Sequence, residues 1–221
     1  MAKSDVTTDM LPKSLRILCF GDSLTAGYTS YGWEFHPYAD HLRAGLQHAL
    51  STSDIEIDVA GLSGDQVQGS YLRRIKAKCA NTETPYDWII IMGGTNDLGW
   101  GQQPDTIYEG LKKVWKVALD TGANVLALNV LEAAADREGS RRKLLNEKIA
   151  KADIPPNSYS FDLYNAIRYT DIEEDLRKRL WDDGLHLTSE GYKVMGDVIA
   201  VRMLELLKMA RQPKNIGPVT E

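Results

Sequence analysis

A serine, an aspartate and a histidine in this chain have the residue types and spacing that acyl transfer requires. Ser23 lies in the stretch LCFGDSLTAG (Leu18–Gly27), where an apolar run ends at a glycine and an acid. Asp183 and His186 lie close together near the other end of the chain. A serine hydroxyl is a weak nucleophile until a base such as imidazole takes its proton. A carboxylate on the other ring nitrogen fixes the tautomer, so we interpret these three residues as a catalytic triad.

Three further groups are candidates for stabilising the oxyanion that develops during acyl transfer. Gly64 in GLSGDQ has no Cβ, so its backbone N–H can approach a substrate closely. Asn96 in GGTNDLGWG has a side-chain amide that can donate, and the backbone N–H of Ser23 is a third candidate donor. Glycine and asparagine also commonly fill turns, and this structural interpretation stays open for both residues.

The segment WDDGLHLTSEG contains two adjacent carboxylates, Asp182 and Asp183. A short D-x-x-H turn can hold Asp183 and the histidine side by side with little conformational freedom. The sequence leaves open whether Asp182 contributes. No H-E-x-x-H or paired C-x-x-C pattern appears, so we predict neither a metal site nor a cofactor.

Apolar runs that alternate with helical patterns predict a parallel sheet covered on both faces. Five short runs predict strands, at Leu15–Phe20, Ile55–Ala60, Asp87–Met92, Asn124–Leu131 and Tyr159–Leu163. Apolar residues at helical spacing predict helices over Phe35–Leu50, Gln66–Ala80, Pro104–Leu119, Ser140–Lys151 and Thr188–Met209. We therefore predict a three-layer α/β/α sandwich with a five-stranded parallel sheet, with Thr188 as the N-cap of its last helix.

In such a sheet the loops that follow the strands meet at one edge, which is where the candidate residues fall. Trp33, Trp100 and Trp181 lie on or near these loops. They could line a pocket for the acyl or alcohol group, or they could be ordinary core residues. The loops are short and none has the length of a lid, which favours short-chain esters over long ones.

The composition excludes several other classes of protein. The chain has 221 residues with 26 Lys+Arg and 31 Asp+Glu, a net charge of -5, which disfavours nucleic-acid binding. No apolar run reaches the ~20 residues of a membrane span, and we expect no stable membrane association. The N-terminal residues lack the apolar core of a signal peptide, and the two cysteines form no disulfide framework. We therefore expect a cytoplasmic protein.

One domain of this length is the expected organisation. We predict an N-terminal arm over residues 1–14, a single domain over residues 15–211 and a C-terminal tail over residues 212–221. The oligomeric state cannot be predicted from these features.

Four short blocks of the sequence, taken together, resemble the GDSL or SGNH hydrolase family. They are GDSLTAG, GLSGD, GTND and DGLH, which occur in this order and span most of the chain. The resemblance implies a flavodoxin-like SGNH fold, with Ser23 as nucleophile and Gly64 and Asn96 in the oxyanion hole. It also implies Asp183 and His186 as acid and base, no cofactor, and a small-molecule ester as substrate. The stretch RRKLLNEKI further resembles a helix of small intracellular esterases, including the isoamyl-acetate-hydrolysing type.

The chain departs from the family pattern in its second block, where an asparagine usually precedes the glycine. Ala60 and Gly61 stand in that region, so a hydrogen bond that braces the loop is expected to be missing. The G-x-S-x-G elbow of α/β-hydrolases is also absent from the sequence.

The leading interpretation is an ester hydrolase that works through an acyl-serine intermediate. The alternatives are an acyltransferase with the same triad, in which an alcohol replaces water, and a lysophospholipase-like enzyme. A flavodoxin-like phosphate- or flavin-binding module is disfavoured, because Asp22 would repel phosphate and His186 would have no role. A catalytically silent interaction protein is disfavoured because no group needed for catalysis is missing.

Overall fold

A computed structural model of the chain describes residues 14–50, 54–80, 83–135, 140–151 and 157–209. The predicted arm and tail therefore lie outside the described residues, except that Ser14 is the first residue of the first strand. The strands are β1 (Ser14–Gly21), β2 (Tyr28–Thr29), β3 (Glu34–Phe35), β4 (Asp54–Gly61), β5 (Trp88–Ile91), β6 (Asn124–Leu128) and β7 (Ser158–Phe161). The α-helices are α1 (Ser23–Ala26), α2 (Tyr38–Leu50), α3 (Leu72–Ala80), α4 (Thr95–Gly99), α5 (Pro104–Leu119), α6 (Arg141–Ala150), α7 (Leu163–Ala166), α8 (Glu174–Leu180) and α9 (Ser189–Met209). A 3₁₀ turn covers Ser30–Gly32, and a π-helical turn at Val67–Tyr71 leads into α3.

Five of the strands form one sheet in the order β4-β1-β5-β6-β7, and every pair of neighbours is parallel. Strand β1, which lies between β4 and β5, shows why helices cover both faces, since successive side chains point to opposite sides. Ile17 and Cys19 pack into one core cluster with residues of α2 and α9. Leu18 and Phe20 pack into a second cluster with residues of α3, α5 and α6. The predicted three-layer sandwich is confirmed.

The fourth strand of the sheet along the chain is shorter than the sequence predicted. The prediction extended to Leu131, but β6 ends at Leu128. A side chain of α6 replaces the neighbouring strand as hydrogen-bond partner, because Val130 N donates to Asn146 Oδ1 at 2.8 Å. Asn146 Nδ2 donates back to Val130 O at 2.9 Å, which turns the chain away from the sheet.

The predicted start of the first long helix was also wrong, because the prediction placed it at Phe35. Helix α2 begins at Tyr38, while Phe35 pairs with Tyr28 in the small antiparallel ribbon of β2 and β3. The apolar spacing of α2 extends back to Phe35, but Phe35 lies outside the helix and is 52% exposed. Neither this ribbon nor α8 was predicted, since two-residue strands and a charged helix of seven residues carry almost no periodic signal.

Two contacts position the segments that contain Ser23 and His186. Helix α1 lies directly on the end of β4, where a Cβ on Gly61 would stand 2.2 Å from the backbone nitrogen of Ala26. At the other end, Thr188 Oγ1 accepts a hydrogen bond from Gly191 N at 3.1 Å, so Thr188 caps α9 as predicted. Among the described residues, no helix combines the length and the apolar composition needed to cross a membrane.

Candidate active site

The Ser23 side chain stands just beyond the carboxyl end of β1, in the first turn of α1. Asp22 caps this helix, because its Oδ1 accepts a hydrogen bond from Leu24 N at 3.0 Å. The helix ends after one turn at Gly27, whose φ of 81° is in the left-handed region that favours glycine. The turn therefore fixes Ser23 at the sheet edge, where the residue is 4% exposed.

Ser23, His186 and Asp183 form a continuous row of hydrogen bonds. Ser23 Oγ lies 3.0 Å from His186 Nε2, and His186 Nδ1 lies 2.8 Å from Asp183 Oδ2. An ionised carboxylate can only accept, so Nδ1 carries the proton and Nε2 has the free lone pair. The Ser23 hydroxyl then donates to Nε2, which is the arrangement that general-base catalysis needs.

The Asp183 carboxylate also fixes the loop that contains it. Its Oδ1 accepts hydrogen bonds from Leu185 N at 3.0 Å and from His186 N at 2.7 Å. Burial raises the pKa of this carboxyl, but the hydrogen bonds from His186 and Leu185 outweigh burial and lower the pKa overall. Asp183 is therefore ionised at neutral pH.

The carboxylate of the neighbouring Asp182 contacts a different segment, so of the two adjacent carboxylates it is Asp183 that lies against His186 Nδ1. Its Oδ2 accepts a hydrogen bond from Ser30 N at 2.8 Å and so attaches the β2–β3 ribbon to the histidine loop. The same ribbon places the Tyr28 ring against the His186 ring, with centroids 4.4 Å apart. The Tyr192 hydroxyl donates to Tyr28 O at 2.8 Å and fixes the ribbon to α9.

The two candidate oxyanion residues lie on loops that are bonded to each other. Gly64 has a φ of 77°, and a Cβ built on it meets no atom within 4 Å, so open space adjoins its backbone. Asn96 lies in the first turn of α4, and its Nδ2 donates one hydrogen bond to Asp65 O at 2.9 Å. A side-chain amide has two N–H groups, so the second remains available for a substrate oxygen.

Asp97 is a structural member of this site that the sequence analysis did not single out. Its side chain is buried, with Oδ2 accepting from Val67 N at 2.9 Å and Oδ1 from Gln68 N at 3.0 Å. Asp97 thus joins the loop after β5 to the π-helical turn that follows β4. The signal was present in the quoted GTND block, where an acid stands directly beside the candidate amide.

A model of the GDSL-like lipase/acylhydrolase family matches residues 19–194 of the chain. The chain belongs to this family. Membership identifies it as a hydrolase of the esterase class and confirms the resemblance that the four motifs indicated. A comparison with curated proteins finds no match.

Solved structures of lipolytic enzymes and esterases have the same fold as this hydrolase. A lipase/acylhydrolase from Enterococcus faecalis is 23% identical, with a TM-score of 0.66 over 90% of this chain and 100% of that chain. A member of the lipolytic G-D-S-L family from Veillonella parvula is 24% identical, with a TM-score of 0.66 over 86% and 97% of the two chains. An inhibitor-bound aryl esterase from M. smegmatis is 21% identical, with a TM-score of 0.65 over 87% and 99%.

In this GDSL-like hydrolase, hydrogen bonds that the sequence did not reveal attach the loop after β6 to its neighbours, including the loop that contains His186. Ala134 N, in the loop after β6, donates to Gly184 O at 2.8 Å. Glu132 of the same loop is buried and accepts from Tyr169 N at 2.6 Å and from Thr170 N at 3.0 Å. Burial raises the pKa of the Glu132 carboxyl, but these hydrogen bonds and those of Thr170 Oγ1 and Arg168 lower it overall. Glu132 is therefore an ionised support for the loops beside the site.

The three tryptophans near the active loops of the hydrolase have different environments. Trp33 and Trp100 are 89% and 79% exposed. Trp181 is buried in the core, where its Nε1 donates to Arg168 O at 2.9 Å and its ring packs edge-on against Tyr169. For Trp181 the structure therefore favours the core interpretation, which the sequence left open beside the pocket interpretation.

The described residues of the hydrolase contain no group of three or more His, Cys, Asp or Glu side chains that could hold a metal ion. One carboxyl beside Ser23 has an unusual environment. Asp22 is 1% exposed, and its Oδ2 has no hydrogen-bond partner among the described residues. Burial raises the pKa of Asp22 to about 6, despite the hydrogen bond from Leu24.

Because of this raised pKa, the Asp22 carboxyl should make stability fall as pH rises. The unfolded chain releases this proton near pH 4, whereas the folded chain keeps it until about pH 6. Asp22→Asn keeps the oxygen that accepts from Leu24 N and removes the buried charge. Relative to the parent, the variant should gain on the order of 2 kcal/mol in free energy of unfolding between pH 4 and pH 7.

Urea unfolding at a series of pH values measures this difference. Asp40→Asn, at an exposed surface position, is the control and should give a curve parallel to that of the parent. An Asp22→Asn curve that also runs parallel to the parent would show that the buried carboxyl does not govern this pH dependence.

Proposed function

We propose that this chain hydrolyses carboxylic esters through an acyl-serine intermediate, with Ser23 as nucleophile, His186 as base and Asp183 as its partner. The observation that carries the proposal is the unbroken row of hydrogen bonds from Ser23 Oγ through both nitrogens of His186 to Asp183 Oδ2. The row stands at the carboxyl end of a parallel strand, where enzymes of open α/β folds bind their substrates.

In the first half of the reaction, Ser23 Oγ attacks the ester carbonyl carbon while His186 Nε2 takes the hydroxyl proton. The resulting imidazolium is stabilised by the charge of Asp183 on Nδ1. The tetrahedral intermediate collapses with cleavage of the bond to the alcohol oxygen, and His186 returns the proton to that leaving oxygen. Water then attacks the acyl group with His186 again as base, releasing the acid and restoring the Ser23 hydroxyl.

The oxyanion of each tetrahedral intermediate needs donors in fixed positions. We assign this role to the backbone N–H groups of Ser23 and Gly64 and to the second N–H of the Asn96 amide. Three observations support the assignment: Ser23 N opens a helical turn, Gly64 adjoins open space, and Asn96 is held by its bond to Asp65 O. The positive end of α1 adds a favourable dipole at the same place.

We further propose that the substrates are small esters with short acyl chains. The connections after β4 and β5, residues 62–66 and 92–94, are short, and a Cβ built on Gly64 would meet no atom within 4 Å. Trp33 and Trp100 project from the surface with most of their area in solvent. Such an open site can cover only a few methylenes, and each covered methylene contributes about 0.8 kcal/mol.

The identity of the nucleophile is tested with a fluorophosphonate probe, which reacts with activated serines. The parent should be labelled at a single site, and Ser23→Ala should abolish labelling and reduce hydrolysis of p-nitrophenyl butyrate by at least about 10⁴-fold. Ser140→Ala, which alters the cap of α6, is the control and should keep full labelling. Undiminished labelling of the Ser23→Ala variant would overturn the assignment.

The two adjacent carboxylates should differ sharply in their effect on rate. Asp183→Asn should lower kcat by roughly 10³–10⁴-fold, because an amide at this position no longer fixes the histidine tautomer. Asp182→Asn keeps an oxygen for Ser30 N and should cost less than about tenfold. Steady-state kinetics of both variants measure this difference. A larger loss of kcat in Asp182→Asn than in Asp183→Asn would assign the partner role to Asp182.

Acyl-chain preference follows from the open sheet edge. In a series of p-nitrophenyl esters, kcat/KM should rise by up to about fourfold per methylene from acetyl to hexanoyl. It should then fall by dodecanoyl, because further methylenes remain in water and add no binding to the transition state. A preference for palmitoyl over butyryl esters would contradict the short-chain proposal and point to a lysophospholipase-like enzyme.

A further inference from the structure

The end of β4 lacks the asparagine that is usual in the family, as the sequence indicated, and an arginine from another element contacts the backbone there instead. Ala60 has no polar side chain, but its carbonyl oxygen accepts a hydrogen bond from Arg74 Nη2 of α3 at 2.5 Å. Arg74 Nη1 donates to Gly21 O, the last residue of β1, at 3.1 Å. The guanidinium therefore spans the ends of the two strands that precede Ser23 and Gly64.

The same guanidinium also contacts the loop that contains the candidate oxyanion glycine. Arg74 Nη1 lies 2.6 Å from Asp65 Oδ2, and both side chains are largely buried, at 17% and 7% exposed. Asp65 directly follows Gly64, and Asp65 O accepts the hydrogen bond from the Asn96 amide. Arg74 therefore contacts Gly21, which is two residues before Ser23, and Asp65, which directly follows Gly64. Through Asp65 it is also connected to the Asn96 amide.

Two aromatic rings fix the orientation of the guanidinium plane. Its carbon lies 4.8 Å from the centroid of the Phe20 ring and 5.6 Å from that of Tyr71. Phe20 belongs to β1, and Tyr71 is the last residue of the π-helical turn. A planar, forked donor can satisfy two carbonyls and a carboxylate at once, whereas an ammonium group cannot reproduce this geometry.

The charge on Asp65 is part of the same arrangement. Burial raises the pKa of its carboxyl, but the hydrogen bonds from Ser70 and Arg74 outweigh burial and lower it overall. The π-helical turn, which commonly marks functional sites, directly precedes the helix that presents Arg74. The adjacent Arg73 is exposed to solvent.

From these contacts we infer that Arg74 is a positioning residue that fixes the Ser23, Gly64 and Asn96 loops relative to one another as one oxyanion site. The inference rests on the proposed function for its catalytic consequence. Arg74 does not touch the reacting atoms. It acts by holding the backbone of the donors, and a displacement of about 1 Å in such donors can cost about 10²-fold in rate.

A positioning role predicts a loss in the transition state and not in substrate binding. Arg74→Ala should lower kcat for p-nitrophenyl butyrate by roughly 10–100-fold and leave KM within about threefold. The affinity for a boronic acid inhibitor, whose adduct with Ser23 has a tetrahedral oxyanion, should fall by a similar factor. Arg74→Lys, which keeps the charge, should restore the melting temperature more than it restores kcat.

The matched control is Arg73→Ala, which removes the adjacent exposed guanidinium and should leave kcat, KM and inhibitor affinity at parent values. If Arg74→Ala keeps the parent kcat and loses only melting temperature, Arg74 is a structural residue and the inference is overturned. The inference is also overturned if the boronic acid binds the variant as tightly as it binds the parent.

A second readout does not depend on ester hydrolysis. In ¹H–¹⁵N NMR spectra, the side-chain amide of Asn96, which donates to Asp65 O, and the backbone amide of Asp65, which donates to Leu62 O, should exchange with solvent faster in Arg74→Lys than in the parent, with no change in Arg73→Ala. If the parent hydrolyses no ester, the proposed function fails, while this measurement still decides whether Arg74 holds the loops. Unchanged exchange in Arg74→Lys would count against the inference whatever the activity of the parent.

Discussion

The hydrogen bond of 3.0 Å from the Ser23 hydroxyl to the His186 ring joins segments that are 163 residues apart, and contacts on both sides of it fix the two residues. On the serine side, a single helical turn is pressed against the end of β4, where only glycine fits at position 61. On the histidine side, Asp183 holds both the ring and the backbone of His186, and the Tyr28 ring packs against the imidazole. The sheet sets the distance between these two sides, because its strand ends are the fixed points from which the loops depart.

Buried carboxylates are the main connections between the loops of this edge. Asp97 joins the loop after β5 to the turn before α3, and Asp65 joins that turn to Arg74. Glu132 joins the loop after β6 to the segment after α7. Each carboxylate accepts several hydrogen bonds, which offsets the cost of its burial. A loop held in this way has few alternative conformations, and catalytic donors require that property.

The sequence predicted the features that depend on local patterns. Apolar runs identified all five strands of the sheet, and the motif blocks identified residues that the structure brings to one edge. The predicted end of β6 and the predicted start of α2 were wrong because a side chain of α6 and the partner strand β2 determine them, and both lie outside the segments whose patterns were used. Trp181 could not be assigned to core or pocket until its hydrogen bond to Arg168 O was visible.

The supporting residues of the site were not predictable in the same way. Asp182 and Asp183 are identical in type and adjacent, and only the direction of each side chain separates them. Arg74 appeared in the sequence as one member of a basic pair typical of a solvated helix face. Its contacts with Gly21 and Ala60 depend on the packing of α3 against the sheet, which no local pattern reveals.

The order of the strands has a consequence for how the molecule acquires activity. Strand β1 pairs with β4 and β5 in the sheet, whereas His186 comes from the segment just before α9, which packs against α2. Contacts between such distant segments form late in folding, because a long loop must close first. A partly folded chain can thus have most of its helices while Ser23 remains an ordinary, unreactive alcohol. Recovery of esterase activity during refolding would therefore report completion of the whole fold, and would lag behind the recovery of helical circular dichroism.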